Sequence, residues 1–369
     1  MIRTHQYKLY SNNSYRRKFT RWIGVSRLVY NLAKETKEYA YKQYEASLSK
    51  YDLMNQLPEL KKEFKWIAEV NAQTLQAVIE RLDNSFQKFF NGAGYPKWAK
   101  KHKYRSFKFK QGVKRTKKGF KLPKFGEVKV FNNERTFTGT IKGAIMIKKA
   151  DGLYLYVIVK SEDSEVSEKQ TAIGIDMGIS YFCVTSDGQR IDNPKHLNKY
   201  LKKLRIANRT LARKKKGSAN WIKQVQKLKQ LHKKVTDTRR DFLHKVSSSF
   251  AEEYDKVVVE DLNIAGMSKN TKLSQHILDC GWGTFFGMLN YKTDVKKVDP
   301  KYTSQTCSKC GCVDSMNRTT QSNFTCIECG YRDNADVNAA KIIKRRGHSP
   351  SPANVAAARA SVGEESPEF

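Results

Sequence analysis

The chain has 369 residues, of which 39% are hydrophobic, and 70 Lys and Arg against 36 Asp and Glu give a formal net charge of +34. Such an excess attracts polyanions, so it predicts a nucleic-acid partner and argues against a metabolic enzyme with a small-molecule substrate. An anionic membrane surface is the alternative partner, but the sequence shows no amphipathic stretch, apolar span, lipidation signal or signal peptide. We therefore expect a soluble, intracellular protein of two or three domains.

A helical lobe inserted into a small β-barrel is predicted for the first half of the chain. Residues 1–15 contain a strand pattern, and apolar residues at three- and four-residue spacing predict helices across residues 16–92. Residues 93–165 hold short alternating runs punctuated by glycines, which favour a twisted antiparallel barrel that the N-terminal strand joins. The first helix carries basic side chains away from its apolar stripe, including Arg16, Arg17 and Arg27.

Aromatic and basic side chains alternate in the segment from Tyr95 to Arg105. Rings can stack on bases while neighbouring cations neutralise phosphates, so this segment is a candidate nucleic-acid contact. A solvated charged loop is the alternative interpretation. The candidate contacts here are Lys97, Trp98, Lys100, Lys101 and Arg105.

The second half begins after a polar linker at residues 162–165 with a strand that ends near Asp176 and its hairpin partner, Tyr181–Thr185. A long basic helical hairpin follows, and its turn contains Lys214 and Lys215. This hairpin can be a coiled-coil partner surface or a nucleic-acid contact. Another helix is predicted over residues 241–254, and the tail beyond residue 346 lacks a core pattern and is predicted to be disordered.

Three acidic motifs place Asp176, Glu260 and Asp336 where an apolar strand ends or a helix begins. Carboxylates at such positions can converge on Mg²⁺, and paired Mg²⁺ ions cleave phosphodiesters by stabilising the attacking and the leaving oxygen. The pattern therefore predicts a nuclease. For a single such carboxylate, a helix cap would be the preferred interpretation, and Asp333 is interpreted in this way. Asp261 is expected to point to the opposite face of its strand.

Four cysteines form two Cys-x-x-Cys pairs, each followed by a glycine: Cys307, Cys310, Cys326 and Cys329. This spacing is typical of a tetrahedral zinc site. Disulfides are the alternative, but they require an oxidising compartment. Cys312 lies outside the paired pattern, and Cys183 and Cys280 are expected to be ordinary buried thiols.

Several segments along the chain together resemble the TnpB family, nucleases encoded by insertion sequences and related to compact type V CRISPR effectors. The resemblance extends to about residue 345 and is most specific in the C-terminal half. The segments that carry it are Tyr7–Tyr10, Val29–Asn31, Tyr95–Lys97, Gly174–Gly178, Val259–Asn263, Tyr302–Gly311 and Asp336–Ala340.

The resemblance implies an RNA-guided DNA endonuclease that binds a guide RNA, recognises a short motif beside its double-stranded DNA target, and cuts with two Mg²⁺ ions. It implies a multidomain α/β and α+β fold, with a RuvC-like (RNase H fold) nuclease domain at residues 166–300 and 332–346. A zinc-ribbon module at residues 301–331 would interrupt that domain, beside the barrel and the helical recognition lobe, with a disordered tail at residues 347–369. The module would help to load single-stranded DNA or serve as a purely structural staple.

By the same resemblance, Asp176 bridges both Mg²⁺ ions, Glu260 completes one site and Asp336 the other. Base pairing with the guide reads the target, while the protein reads backbone shape and the flanking motif. Amide and hydroxyl side chains can pair with base edges, although an exposed helix turn is the alternative for each of them. The candidates for the flanking motif are Asn71, Gln73, Thr74 and Gln76.

One departure from the family pattern concerns the sheet. Only residues 293–297 separate a predicted helix end from Val298, so a core strand is expected to be short or displaced there. A nucleic-acid-binding regulator without cleavage and an accessory transposition protein are the competing functions, and the intact acidic motifs favour the nuclease. We expect the protein in the cytoplasm of a prokaryote, associated with the nucleoid.

Overall fold

The structure is a computed structural model that describes residues 2–131, 134, 136–161, 171–270 and 273–348. It divides the chain into two compact units, Met1–Val166 and Ser167–Phe369, each built around its own apolar clusters. The predicted polar linker at residues 162–165 and the predicted tail beyond residue 348 lie outside the described residues.

The first unit combines a group of helices with short antiparallel strands. Its helices lie where the apolar spacing predicts them, between a first strand and the remaining strands. In chain order, the described elements are β1 (Ile2–Lys8), α1 (Asn13–Tyr44), α2 (Lys50–Asn55), α3 (Leu57–Glu63), α4 (Lys65–Ala68), α5 (Ala72–Phe90), β2 (Ser106–Phe109), β3 (Lys114–Thr116), β4 (Gly119–Leu122), β5 (Gly126–Lys129), β6 (Thr140–Lys149) and β7 (Gly152–Lys160).

Two sheets, rather than a closed barrel, are formed by the described strands of this unit. One has the order β1-β7-β6-β2 and the other β3-β4-β5, and a single bridge between Leu9 and Val130 connects them. The N-terminal strand joins the larger sheet as predicted, since β1 pairs with β7 along its whole length. Both sheets contribute to one apolar cluster, in which Trp22 of α1 packs against Phe107 and Phe125.

The second unit is built on a mixed sheet with helices on both faces. Its described elements are β8 (Ala172–Met177), β9 (Tyr181–Thr185), β10 (Arg190–Asp192), α6 (His196–Ala212), α7 (Ala219–Glu253), β11 (Lys256–Glu260), α8 (Ile264–Met267), α9 (Ser274–Cys280), α10 (Trp282–Leu289), β12 (Asp294–Val298), a 3₁₀ turn (Ser315–Asn317), β13 (Asn323–Thr325), β14 (Arg332–Asn334) and α11 (Ala335–His348).

The main sheet has the order β10-β9-β8-β11-β12, with β11 parallel to both β8 and β12. Alternate residues of a strand face opposite sides, so each face of β11 packs against different helices. Val257 and Val259 belong to the cluster formed with α7 and α10, whereas Val258 packs with Ile343 of α11 on the other face.

Three boundaries differ from the sequence-based expectations. The strand expected to be short or displaced is present as β12, because five residues are enough to match all five positions of β11. The helix predicted over residues 241–254 is the second half of α7, which contains no glycine or proline that would interrupt it. Finally, α11 continues to His348, so residues 347 and 348 are helical.

Helix α11 lies very close to the sheet because a glycine occupies each of two positions where the helix and a strand approach most closely. A Cβ atom on Gly174 of β8 would lie 2.2 Å from the carbonyl oxygen of Ala340. At the other end of α11, a Cβ atom on Gly347 would lie 2.3 Å from a methyl group of Val258. A larger residue at either position would therefore push the helix away from the strands.

We predict that Gly174→Ala destabilises the protein by roughly 1–3 kcal/mol, because the added methyl group overpacks the contact between β8 and α11. Gly287→Ala is the matched control, since no atom lies within 4 Å of the position its Cβ atom would take in α10. That control should be neutral or stabilising by up to about 1 kcal/mol. Thermal denaturation of both variants measures the difference, and equal melting temperatures would contradict the predicted close packing.

Candidate active site and cysteine cluster

Asp176 and Glu260 lie at the carboxyl ends of two neighbouring interior strands of the main sheet, and Asp336 lies in the helix that covers the same face. Ile175 of β8 pairs with Val259 of β11, and because the strands are parallel, the acids that follow these residues emerge side by side. Both acids point to the face covered by α11, since they lie two residues beyond Gly174 and Val258. Asp336 lies in the first turn of α11.

The three carboxylates interact electrostatically. Burial, together with the charges of Glu260 and Asp336, raises the pKa of Asp176 to about 8. Burial also raises the pKa of Glu260, although a hydrogen bond from Thr303 and the charge of Arg346 oppose that rise. Three acidic groups are therefore concentrated in a partly enclosed position that disfavours their ionised forms, and a divalent cation would favour ionisation there.

Two residues from the segment between β12 and α11 contact the carboxylates of Glu260 and Asp336. The Thr303 hydroxyl donates to Glu260 Oε1 at 2.6 Å, and Arg318 Nη2 lies 3.3 Å from Asp336 Oδ1. Across the described residues, the acids do not form a group whose ligand oxygens all lie within 4.8 Å of one another.

The neighbouring carboxylates have other partners. Asp333 accepts hydrogen bonds from Lys341 and Tyr331, each at 2.8 Å, so its predicted role as a helix cap is wrong. The side chain of Asn334 caps α11 instead, accepting from the backbone N–H groups of its first turn. Asp261 lies just beyond the end of β11, where it is exposed and pairs with Lys297.

The four predicted cysteines form the second cluster. Their sulfur atoms all lie within 4.8 Å of one another, with 3.7 Å between Cys307 and Cys329 and 3.5 Å between Cys310 and Cys326. Zinc–sulfur bonds of about 2.3 Å in a tetrahedron place the sulfur atoms about 3.8 Å apart, which fits this spacing. Cys312 lies outside the set, and Cys183 and Cys280 are buried thiols, as predicted.

The two Cys-x-x-Cys turns have the same backbone geometry. Cys307 and Cys326 each donate their N–H to the carbonyl five residues later, at 2.8 Å in both turns. The glycines that follow, Gly311 and Gly330, have φ values of 84° and 66°, and each donates to the carbonyl of the first cysteine of its turn. Glycine adopts this left-handed conformation without steric cost, which explains its position in both turns.

Buried asparagines fasten the cysteine cluster to its surroundings. Asn338 of α11 is fully buried, donates to Thr306 O and accepts from Ser308 N, on both sides of Cys307. Asn317 is also fully buried and joins the two turns, since it donates to Gln305 O and accepts from the backbone that follows Cys326. The first turn of the cluster is thus bonded directly to the helix that carries Asp336.

Four of these residues were not assigned a role from the sequence. Thr303 and Asn338 belong to segments that resemble TnpB, and their place in those segments is the one sequence feature that points to a role for them. Asn317 ends the 3₁₀ turn and Arg318 follows it, in a segment whose sequence has no recognisable pattern. Their partners are distant in sequence, so only the folded chain reveals them.

The residues predicted to contact nucleic acid differ in exposure. Arg16 and Arg17 are exposed and, with Arg21, line a groove of about 620 Å³ beside the start of α1, whereas Arg27 is half-buried. Thr74 is fully buried, because it lies on the apolar side of α5, so we leave it out of the proposed interface. The other predicted positions are exposed or half-buried: Asn71, Gln73, Gln76, Lys97, Trp98, Lys100, Lys101, Arg105, Lys214 and Lys215.

A segment without regular structure, Tyr95–Lys101, forms what we call the aromatic ledge. Trp98 is 47% exposed, and its ring centroid lies 4.0 Å from the ammonium group of Lys34, whose own side chain is only 2% exposed. Lys34 also pairs with Glu38, which accepts a hydrogen bond of 2.7 Å from Tyr95. Asn31 exchanges hydrogen bonds with the backbone that follows Trp98. The α1 helix thus holds one side of the ledge and leaves the other side open.

A membrane span is not found among the described helices, none of which has the length and apolarity that crossing a bilayer requires.

Comparison with known families gives matches to three regions of the chain. A family model described as a probable transposase, OrfB_IS605, matches residues 156–271. A model described as the Cas12f1-like TNB domain matches residues 282–343, and a helix-turn-helix domain model matches residues 1–46. The second match contains all four cysteines of the cluster together with Thr303, Arg318 and Asp336.

Comparison with individual proteins gives relatives along nearly the whole chain. The Escherichia coli (strain K12) protein named "Putative RNA-guided DNA endonuclease InsQ" is 31% identical, over 89% of this chain and 88% of its own. A Streptomyces pristinaespiralis protein named "Putative RNA-guided DNA endonuclease" is 31% identical, over 95% and 90%. The solved structure titled "Structure of the mini-RNA-guided endonuclease CRISPR-Cas_phi3" matches at 11% identity and a TM-score of 0.48, covering 94% of this chain and 92% of that one. With relatives of this identity and coverage, the chain belongs to the TnpB family of insertion-sequence-encoded proteins.

Proposed function

We propose that this protein is an RNA-guided DNA endonuclease, whose partners are a guide RNA and a double-stranded DNA target. Relatives that cover most of the chain carry that activity in their names. The observation that carries the proposal is the arrangement of Asp176, Glu260 and Asp336 on the face of the sheet covered by α11, where burial together with the two neighbouring acids raises the pKa of Asp176 to about 8. Regulators of similar fold that lack cleavage would not need to retain this costly concentration of charge.

The second unit is assigned as a RuvC-like nuclease domain of the RNase H fold. Its mixed five-stranded sheet, covered by α7 and α10 on one face and by α11 on the other, supports this assignment. The segment between β12 and α11 is assigned as the zinc-ribbon module, and the domain resumes at α11. The first unit is assigned as the recognition lobe and the β-strand domain that holds nucleic acid.

Two Mg²⁺ ions are the cations that fit the acidic site, because carboxylate oxygens are the ligands that Mg²⁺ prefers. Asp176, at the centre of the three, would contact both ions, with Glu260 and Asp336 each contacting one. When bound, such a pair supplies the charge that activates a water molecule and stabilises the leaving oxygen of a phosphodiester.

The residues around the acids have roles that follow from their positions. Thr303 fixes one oxygen of Glu260, and Arg318 places a guanidinium group beside Asp336 at the rim of the site. A guanidinium group matches two oxygens of a phosphate at once, so Arg318 is placed to orient the phosphate of the DNA strand.

One Zn²⁺ ion is the cation that fits the cysteine cluster, on the basis of its sulfur spacing. Asn338 hydrogen-bonds the first cysteine turn to α11. The module would therefore keep Asp336, Thr303 and Arg318 in fixed positions relative to one another. We assign it this stapling role and, as the resemblance to TnpB implies, a contact with single-stranded target DNA.

The first unit offers the surface for RNA and for the flanking motif. Its exposed cations include Arg16 and Arg17 in the groove beside α1 and the lysines of the aromatic ledge. The outer face of Trp98 can stack on an unpaired base while those lysines neutralise phosphates. Asn71 accepts a hydrogen bond from Gln73 N as the cap of α5, so its amide N–H₂ group is the part available to a base edge. We propose a cytoplasmic protein that associates with the nucleoid.

We predict that Asp176→Asn abolishes cleavage of a matched DNA target and leaves binding of the guide RNA unchanged. Removing a residue that hydrogen-bonds to a metal ligand lowers activity by up to roughly 100-fold, so removing the ligand itself should lower the cleavage rate by more than that. The test is to co-purify the protein with its RNA, sequence that RNA, and assay cleavage of the matching DNA with Mg²⁺. Because burial and the neighbouring acids raise the pKa of Asp176 to about 8, ionising this group or keeping it protonated costs folding free energy at neutral pH. The neutral asparagine avoids that cost, so the variant should also melt at the same or a higher temperature in magnesium-free buffer.

The same experiment can refute the function. If the unaltered protein retains RNA but does not cleave the target, a regulator without nuclease activity is favoured. If no RNA co-purifies, the RNA-guided mechanism is refuted. If Asp176→Asn cleaves at the unaltered rate, the assignment of the three acids as the catalytic site is refuted.

We predict that Cys310→Ala lowers bound zinc from a full equivalent towards zero and lowers the melting temperature, because the metal contributes directly to folding of such modules. Cys312→Ala is the matched control, since its thiol lies outside the four-sulfur group. Elemental analysis of the two purified variants measures the difference. Full zinc occupancy in Cys310→Ala would overturn the ligand assignment.

We predict that Trp98→Ala weakens binding of the guide RNA by roughly 1–3 kcal/mol, the contribution of one stacked base. Trp66→Ala is the matched control, because Trp66 is similarly exposed, at 45% against 47%, but lies outside the aromatic ledge. Titration of labelled guide RNA at fixed salt compares the two variants. Equal affinities would show that the ledge does not stack on RNA.

A further inference from the structure

We infer that Thr303 is a positioning residue of the metal site, and that its hydroxyl group holds Glu260 in the orientation that binds a divalent cation. The inference rests on the proposed function of the acidic site. Thr303 and Glu260 are both buried, with exposures of 4% and 7%, and the hydroxyl lies 2.6 Å from Glu260 Oε1. Among the described residues, Thr303 is the hydrogen-bond partner of the Glu260 carboxylate, so Oε2 is left for a cation.

The single hydrogen of the Thr303 hydroxyl group decides which oxygen accepts the hydrogen bond. A threonine hydroxyl has one hydrogen, and two oxygens lie within its reach, Glu260 Oε1 at 2.6 Å and Pro300 O at 3.0 Å. An ionised carboxylate is the stronger acceptor and forms the shorter bond. The hydrogen therefore points to Glu260, and a buried carboxylate oxygen would otherwise have no donor to replace water.

The backbone that presents Thr303 is strained at the preceding residue. Tyr302 has a φ of 61°, in the left-handed region that costs a side chain with a Cβ atom roughly 1–2 kcal/mol. Such a conformation persists only where its surroundings impose it. Here Thr306 donates to Tyr302 O with both its N–H and its hydroxyl group, at 3.0 and 2.6 Å. The constrained backbone at Tyr302 therefore fixes the direction in which the Thr303 side chain projects from the loop.

A second constraint on this loop comes from α11. Arg346, in the last turn of that helix, donates through Nη1 to Asp299 O at 2.6 Å and to Lys301 O at 2.8 Å. The helix that carries Asp336 at its start thus holds, near its end, the loop that carries Thr303. A loop fixed by Arg346 before Tyr302 and by Thr306 after it leaves Thr303 little freedom to move.

The test compares Thr303→Val, which keeps the shape but removes the hydroxyl group, with Thr303→Ser, which keeps the hydroxyl group. Thr293→Val is the matched control, because the Thr293 hydroxyl donates to Asp255 O at 2.6 Å, just before β11 and at the opposite end of that strand from Glu260. Two quantities are measured on the full chain: Mn²⁺ affinity of the nucleic-acid-free protein by calorimetric titration, and the half-saturating Mg²⁺ concentration for target cleavage by the RNA complex.

We expect Thr303→Val to weaken Mn²⁺ binding and to raise the half-saturating Mg²⁺ concentration by about 10–100-fold, as loss of an outer partner of a metal ligand does. Thr303→Ser should restore both values to near those of the unaltered protein, and Thr293→Val should leave them unchanged. Zinc content and RNA retention should be the same in all three variants.

Two results would overturn the inference. One is a Thr303→Val protein whose cation affinity equals that of Thr293→Val. The other is a loss of zinc in Thr303→Val that parallels the loss of cation affinity, which would make the effect a structural one. Failure of the proposed function is a separate outcome: unaltered protein that binds Mn²⁺ but does not cleave a matched target refutes the endonuclease and leaves the role of Thr303 at the metal site intact.

Discussion

The constraint on which the second unit depends is the mutual repulsion of three carboxylates that share one side of a sheet. Parallel pairing of β8 and β11 brings Asp176 and Glu260 out side by side, and α11 delivers Asp336 to the same place. Since the charges repel one another in a partly enclosed position, the surrounding structure must hold them there. Close packing at Gly174, the hydroxyl of Thr303 and the guanidinium of Arg318 provide that restraint.

The cysteine module is structurally part of the acidic site. It supplies Arg318 to Asp336, and the loop that leads into it supplies Thr303 to Glu260. Asn338 completes the connection by binding the backbone on both sides of Cys307 from within α11. A metal ion held by the sulfur atoms would therefore also support the geometry of the carboxylates, although the two clusters share no ligand.

Much of the site could be predicted from the sequence, because its most informative residues form local patterns. The acids follow apolar strands or open a helix, and the cysteines are paired at fixed spacing, so each set is recognisable within a few residues. Thr303 and Arg318 have no such pattern, since their partners lie far away along the chain. Thr74 was misjudged because the register of α5 turns it inward, and Asp333 because Asn334 competes for the same cap. The barrel was predicted from strand spacing alone, which does not reveal whether the edges of the sheets meet.

The position of α11 in the chain has a consequence for biosynthesis. It covers one face of β8 and β11 and carries the last of the three acids, yet it is the final helix of the described chain. Because domains fold as their segments leave the ribosome, a partly synthesised chain has two acids on an uncovered sheet and no third. Nuclease activity would thus be withheld from every nascent or prematurely terminated product that lacks α11 and, with it, Asp336.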